Sequence, residues 1–156
     1  MANVDLTVDS DVPAAAVLAA ATDFTDRRPA LWPTIEPAVY EVHAMGPTWA
    51  EVTEGSRFLG LIWARERYEW STPGAVRATV LESNVFRAGG TWELAATDDQ
   101  GPTRIRVRSR RQARGLRGRI LGAMLAIAGR QVLAGNLDQT LRLLAADGRA
   151  AGAAAR

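Results

Sequence analysis

The chain has 156 residues, a length that one domain accommodates while burying roughly two thirds of the surface that its unfolded form exposes. It has no cysteine and one histidine, His43, which excludes disulfides and thiolate metal sites and disfavours histidine-based metal or triad chemistry. We therefore predict neither a metal nor a cofactor. All 19 basic residues are arginines: residues 1–100 hold 7 of them against 15 acids, whereas residues 101–156 hold 12 against 2 acids.

The N-terminal segment and the apolar runs bear on membrane targeting. The segment MANVDLTVDSD carries acids where a secretory signal peptide carries basic residues followed by an apolar core. The longest apolar run, over residues 120–129, is far shorter than the about 20 residues that span a bilayer. We expect a cytoplasmic protein that does not span a membrane.

The chain opens with one strand and two short helices. Residues from Asn3 to Asp9 alternate between apolar and polar, which predicts a strand with one wet face. Asp11 and Pro13 are typical of a helix start, and the helix formers of Ala14–Ala21 follow. Two prolines within FTDRRPALWP favour a second short helix over a continuation of the first.

The middle of the chain changes to strands about ten residues apart. Glycine- and proline-rich turns separate them, among them Glu54-Gly55-Ser56, and these connections are too short for parallel crossovers. We predict an antiparallel meander that, with the first strand, gives one seven-stranded curved sheet. Its six strands are Val39–Ala44, Thr48–Thr53, Phe58–Trp70, Ala75–Glu82, Thr91–Thr97 and Thr103–Arg111.

The last long segment, Leu116–Ala146, predicts one C-terminal helix. Two neighbouring rows of apolar residues run along it, so the helix needs a broad apolar partner, which the sheet can supply. Gly148 is expected to end the helix, since glycine is the usual residue just past a helix C-terminus. Residues 1–147 are then one domain, and residues 148–156 form a mobile tail.

The order of these elements, together with several short motifs, resembles the polyketide cyclase/dehydrase-like branch of the START-like superfamily, often labelled SRPBCC. The resemblance extends from Asn3 to Ala146. The motifs that support it are Val12-Pro13 with Val17, Asp23-Phe24 with Trp32-Pro33, Tyr68-Glu69-Trp70 with Pro73, Gly90-Thr91-Trp92-Glu93-Leu94, and the turn of Gly101 with Thr103-Arg104. Pro102 departs from the usual glycine-threonine turn.

The resemblance implies an α+β helix-grip fold, in which the curved antiparallel sheet wraps around the long C-terminal helix. It also implies a deep cavity between the concave sheet face and that helix, holding a lipid, polyketide or other apolar ligand. The superfamily shares no catalytic set, so no catalytic residue is carried over to this chain.

Candidate ligand-binding residues follow from which faces look into that cavity. Tryptophans bind planar ligands by stacking; for any one of them a place in the core is the better expectation, but the fold favours at least one lining the cavity. Strand Leu61–Trp70 is ambiguous: plain patterning turns Tyr68 inward, whereas comparison with the family turns Trp63 and Arg65 inward, and we favour the latter narrowly. The predicted set is Trp32, Trp63, Arg65, Tyr68, Trp92, Leu94, Val107, Leu125, Ala128 and Val132.

Arginines alternate along strand Thr103–Arg111, which places Arg104, Arg106, Arg108 and Arg110 on one face. We interpret this face first as a solvated, salt-bridged surface. An acidic protein partner or an anionic membrane surface ranks second. Nucleic acid ranks last, because no aromatic residue interleaves with these arginines to stack on bases.

Three hypotheses of function remain open. The first is non-enzymatic binding or carrying of a hydrophobic small molecule in the cavity. The second is an enzyme of cyclase or aromatase type, in which Arg65, Tyr68 or Glu66 would polarise a poly-β-keto chain. The third is an interaction module that uses the arginine face. The sequence leaves open whether the protein is an enzyme, but one histidine and no compact acid-base cluster disfavour the second hypothesis.

Overall fold

A computed structural model describes residues 2–57, 60–99 and 101–154. Seven strands form one antiparallel sheet in the order β1-β7-β6-β5-β4-β3-β2. The strands are β1 (Ala2–Ser10), β2 (Glu41–Gly46), β3 (Trp49–Arg57), β4 (Leu61–Glu69), β5 (Ala75–Ser83), β6 (Thr91–Thr97) and β7 (Thr103–Arg111). The helices are α1 (Ala14–Ala21), α2 (Arg28–Leu31), a 3-10 turn (Pro37–Val39) and α3 (Gly115–Ala154). The predicted helix-grip fold is confirmed.

The sheet curves because its ladder is interrupted near the centre. The β4–β5 register shifts between Arg65 and Glu66, so that Leu81 and Glu82 are both exposed and Ser83 returns to the buried face. Such bulges bend a strand and increase its twist. A second shift on the edge strand β2, at residues 42–44, has the same effect. The concave face that results is the one that the helices cover.

The main core lies between this concave face and the helices. Alternate residues of the central strands are almost fully buried, for example Val76 on β5 and Leu94 on β6. Val17 of α1 and Leu137 and Leu141 of α3 pack into the same cluster. Burying an aliphatic side chain of this size stabilises the fold by roughly 1.5–3 kcal/mol, so this cluster fixes how the helices sit on the sheet.

Helix α3 consists of two arms, Gly115–Met124 and Ile127–Ala151, which meet at 76°. The second arm packs on the main core. The first arm packs on a separate small cluster, in which Leu121 meets Val85, Phe86 and Ile62. No single helix in the described ranges has the length and apolar character needed to cross a membrane, and the two arms meet those criteria only as a bent pair. The cytoplasmic location stays a prediction.

Two predicted strand boundaries are wrong. Strand β3 continues through Glu54-Gly55-Ser56 to Arg57, because Gly55 pairs with Trp63 in the β3–β4 ladder instead of turning the chain. The strand start predicted at Phe58 lies outside the described residues. Strand β2 begins at Glu41, after the 3-10 turn.

Helix α3 also extends past its predicted end, running through Gly148 to Ala154. Glycine costs a helix about 1 kcal/mol relative to alanine, and the alanines on both sides of Gly148 are the strongest helix formers. The helix therefore tolerates this position. Mobility of residues 148–156 and the domain boundary at residue 147 stay predictions.

Candidate functional site

A cavity of about 700 Å³ lies between the concave face of the sheet and α3. Strands β3, β4, β6 and β7 supply its floor and α3 its roof, and the segment from Trp32 to Pro37 forms one side. The exposed lining residues mark its opening: Pro33, Thr34 and Pro37 after α2, Arg57 at the end of β3, and Met124, Ala128 and Val132 on α3. The cavity therefore opens between the segment after α2, the end of β3 and the middle of α3.

The structure brings most of the predicted site residues into this lining. Their contact with a ligand stays a prediction. The side chain of Leu125 lies outside the described part of the structure. The lining includes Trp32, Trp63, Tyr68, Trp92, Leu94, Val107, Ala128 and Val132.

Trp32 and Trp92 are held in place by contacts made without any ligand. The Trp32 indole Nε1 donates a hydrogen bond of 2.9 Å to the carbonyl oxygen of Ala20. Trp92 packs edge-on against Tyr68, with ring centroids 6.3 Å apart. Both tryptophans are only half-buried. A fixed aromatic ring with an uncovered face is suited to contact a flat apolar molecule.

The inward orientation predicted for Arg65 is wrong. Ala64, Glu66 and Tyr68 are the buried residues of β4, and Arg65 lies on the convex face, where its Nε donates to Glu51 Oε1 over 2.7 Å. Plain patterning predicted this face correctly. Glu66 is tolerated on this apolar face because Arg111 forms an ion pair with it. Trp63 borders the cavity although it shares the alternation of Arg65.

A connected polar network forms one wall of the cavity, and the sequence analysis missed it. Its five members, Arg28, Glu54, Tyr68, Glu66 and Arg111, all line the cavity. They come from four separate elements: α2, β3, β4 and β7. The prediction that the chain lacks a compact acid-base cluster is therefore wrong.

Arg28 anchors one end of the network and is 3% exposed. Its guanidinium lies over the rings of Phe24 and Tyr68, at 4.3 and 5.0 Å from the ring centroids. It donates to the carbonyl oxygen of Ala21 over 3.0 Å and forms an ion pair with Glu54. Burial lowers the pKa of Arg28, but the charge of Glu54, its hydrogen bond with Arg28 and the nearby Tyr68 and Tyr40 together outweigh burial, so the pKa is raised. Arg28 is thus a fixed cation.

Glu66 and Arg111 form the other end. Arg111 Nη2 donates to Glu66 Oε1 over 2.6 Å, and the Arg111 guanidinium lies 5.1 Å from the centroid of Phe86. Burial raises the pKa of Glu66, and Arg111 only partly opposes that shift while the charge of Glu54 adds to it. A carboxyl group held this way is suited to exchange a proton nearer to neutral pH than an exposed one.

Tyr68 joins the two ends. Its hydroxyl lies 3.0 Å from Glu54 Oε2 and 3.3 Å from Glu66 Oε2. One hydroxyl proton cannot satisfy both acceptors at once, so the two carboxylates compete for it. Burial, and then the charges of Glu54 and Glu66, raise the pKa of Tyr68 well above its ordinary value. Tyr68 therefore stays a hydrogen-bond donor at physiological pH.

The sequence does indicate that two members of this network face inward. Alternation along β7 places Arg111 on the same face as Ile105 and Val107, and alternation along β3 places Glu54 with Val52. What sequence does not show is that Glu66 and Arg111 meet, because β5 and β6 separate their strands in the sheet. Curvature of the sheet brings the two side chains together.

Outside the cavity, the arginine face of β7 is salt-bridged, as the first interpretation predicted. Arg104 pairs with Asp9, Arg106 with Asp5, and Arg108 with Asp5 and Glu93. Arg110 is exposed. An acidic protein partner at this face stays a prediction.

His43 lies away from the cavity on the edge strand β2, where its Nε2 is 2.7 Å from Thr53 Oγ1. Among the residues that the structure describes, no group of three or more histidine or acidic side chains is arranged to hold a metal ion.

Several solved structures share this fold. The aromatase/cyclase Zhui from Streptomyces sp. R1128 superposes with a TM-score of 0.74 at 18% identity, over 96% of this chain and 97% of that protein. The START superfamily protein from Mycobacterium smegmatis gives 0.70 at 14% identity, over 91% and 98%. TTHA0849 from Thermus thermophilus gives 0.68 at 17% identity, over 91% and 93%. No curated protein sequence matches the chain.

A family model described as "Polyketide cyclase / dehydrase and lipid transport" matches residues 1–146. That match spans all seven strands, both short helices and most of α3, including every member of the polar network. The chain belongs to this polyketide cyclase/dehydrase and lipid transport family.

Proposed function

We propose that the protein binds or carries a hydrophobic small molecule, such as a lipid or a polyketide, in the cavity between the sheet and α3. The observation that carries this proposal is the combination of about 700 Å³ of space, mostly apolar walls and one wall of fixed polar groups. Small-molecule sites of about 300–1,000 Å³ are typically built in this way, with apolar contacts giving affinity and a few polar groups fixing orientation.

The polar wall favours a ligand whose polar group is uncharged, such as a hydroxyl or a keto group. In its fully ionised form the network holds two guanidinium and two carboxylate groups, Arg28 with Glu54 and Arg111 with Glu66. A neutral polar group adds no unpaired charge to this wall. Each guanidinium has five N–H donors, so further donors are available to a ligand oxygen.

The first test is native mass spectrometry of the full chain purified from its own host. A reproducible apolar adduct is the expected result. Ala128→Phe should narrow the cavity mouth and reduce the adduct, whereas Ala146→Phe, an exposed position on the same helix outside the lining, should not. Protein that carries no adduct, and binds none of a panel of fatty acids and aromatic polyketides, would contradict the proposal.

A second candidate function is catalysis of cyclase or aromatase type. The observation that favours it is Tyr68 between Glu54 and Glu66 at the cavity wall, a donor beside a carboxyl group with a raised pKa. Such a pair could polarise a ketone and accept a proton from the adjacent carbon. Arg65 has no part in this candidate, because it lies on the convex face.

Tyr68→Phe and Glu66→Gln separate the two candidates. If the protein is an enzyme, both variants should lower the turnover of a linear poly-β-ketoacyl substrate by about 100-fold or more, whereas binding of that substrate should persist. Arg65→Gln is the matched control on the same strand. Absence of turnover in the wild type would leave binding alone, and turnover that is unchanged in both variants would exclude catalysis by Tyr68 and Glu66.

A further inference from the structure

The outer side of the first arm of α3 is apolar and uncovered. Leu116, Ile120 and Met124 follow one another at intervals of four and are 73%, 49% and 40% exposed. This spacing places them on one side of a helix. The opposite side, with Leu121 and Gly118, is buried against the sheet end of the molecule. The first arm is thus apolar on both sides.

Further exposed apolar residues follow in the second arm. Ile127, at its first position, is 84% exposed, and Val132 is 42% exposed. Five of the nine large hydrophobic side chains that are exposed in the described residues lie between residues 116 and 132, so they are concentrated on one part of the surface. Concentrated exposed apolar residues mark interaction sites, whereas scattered ones do not.

Positive charge borders this surface. Residues 112–137, which include it, contain four arginines and no acidic residue. Arg119 and Arg130 are exposed, and neither forms an ion pair with an acid of the described chain. They stand three residues after Leu116 and Ile127, which makes each pair neighbours on the helix surface. An arginine beside each apolar group can keep its charge in a polar layer while the apolar group enters an apolar one.

We propose that this face, centred on Leu116, Ile120 and Ile127 and bordered by Arg119 and Arg130, docks on the surface of an anionic lipid bilayer. A helix side that combines large apolar residues with arginines and lacks acids is suited to lie at a membrane interface, with its apolar residues among the acyl chains and its cations at lipid phosphates. A second copy of the chain fits less well, because a symmetric contact would bring two faces of the same positive charge together.

The test is flotation of the full chain with vesicles of phosphatidylcholine, alone or mixed with phosphatidylglycerol. We expect binding to the mixed vesicles that weakens with added salt, and little binding to phosphatidylcholine alone. The double variant Leu116→Ser/Ile127→Ser should bind the mixed vesicles about tenfold more weakly. Arg119→Gln/Arg130→Gln should lose about fivefold for each arginine removed.

Matched controls carry the same chemical changes elsewhere. Met45, 61% exposed on β2, and Arg77, exposed on β5, lie away from α3, so Met45→Ser and Arg77→Gln should bind as the wild type does. All four altered α3 positions are exposed, and unchanged thermal unfolding confirms that the variants fold. Absence of binding to anionic vesicles, equal binding by all variants, or a stable dimer that Ile127→Ser dissociates would each overturn the proposal. The prediction is independent of what fills the cavity, so a failure of one proposal is distinguishable from a failure of the other.

Discussion

Arg111→Met tests the polar wall most directly, because it removes the cation that neutralises the buried Glu66. Glu66 is 4% exposed, and its Oε1 accepts from Arg111 Nη2 over 2.6 Å. Removing one partner of a buried ion pair lowers the free energy of unfolding by about 3–5 kcal/mol. Because Arg111 is partly exposed, we expect a loss at the lower end, about 3 kcal/mol. For a domain of this size, that loss corresponds to a fall in Tm of roughly 6–12 °C.

The loss should depend on pH. Burial already raises the pKa of Glu66 in the folded protein, and removing Arg111 raises it further. At pH values between the ordinary and the raised pKa of Glu66, the folded state binds more protons than the unfolded state, so the free energy of unfolding falls as pH rises through that interval. The stability of Arg111→Met should therefore be closest to that of the wild type at acid pH and furthest from it above neutral pH.

The assay is urea unfolding of the full chain at several pH values. Arg111→Met/Glu66→Gln should recover most of the lost free energy of unfolding, because no buried charge is then unpaired. Arg108→Met on the same strand is the control: its partners are exposed, so it should cost no more than about 1 kcal/mol. Equal losses in the single and double variants, or a loss in Arg111→Met that does not change with pH, would refute the reasoning.

Three further predictions concern single substitutions. Arg28→Met, which leaves Glu54 without its cation, should destabilise by about 3–5 kcal/mol, whereas Arg65→Met, at a partly exposed pair, should cost about 1 kcal/mol; urea unfolding compares them. Gly135→Ala, at an exposed helical position with open space around it, should raise stability by about 1 kcal/mol in thermal unfolding. Tyr40→Phe should not lower the free energy of unfolding, since the buried Tyr40 hydroxyl has no hydrogen-bond partner in the described residues. Burial raises the pKa of Tyr40 to about 12, so an alkaline absorbance titration of the variant should lack the transition of this phenol.

Local patterns predicted the fold well. Alternation predicted the extents of β6 and β7, and the proline after Asp11 and Val12 predicted the start of α1. The errors arise where local signals are weak against the surrounding structure. A glycine in a strand suggests a turn, as at Gly55, and a glycine near a helix end suggests a stop, as at Gly148, unless the pairing strand or the helix formers around it are considered.

The cavity was only partly predictable, for a different reason. The aromatic and aliphatic lining follows from alternation on single strands, as with Trp92 and Leu94. The polar wall does not, because it depends on a contact between Glu66 of β4 and Arg111 of β7 across a curved sheet. This contact also explains why Glu66, and not Arg65, faces inward on β4. A buried acid is tolerated when a cation pairs with it, and sequence alone does not show that Arg111 is that cation.

The mouth of the cavity and the exposed apolar face both lie on α3. Met124 and Val132 line the cavity and are also 40% and 42% exposed, so the opening of the cavity borders the apolar face that we assign to the bilayer. The first arm is held from below by a small cluster around Leu121, whereas the second arm packs on the main core through Leu137 and Leu141. Elements with few buried apolar contacts open at lower free energy than the rest of a domain. A bilayer contact on the outer side of the weaker arm would therefore act where the cavity opens, and a ligand leaving the membrane would enter the cavity with little exposure to water.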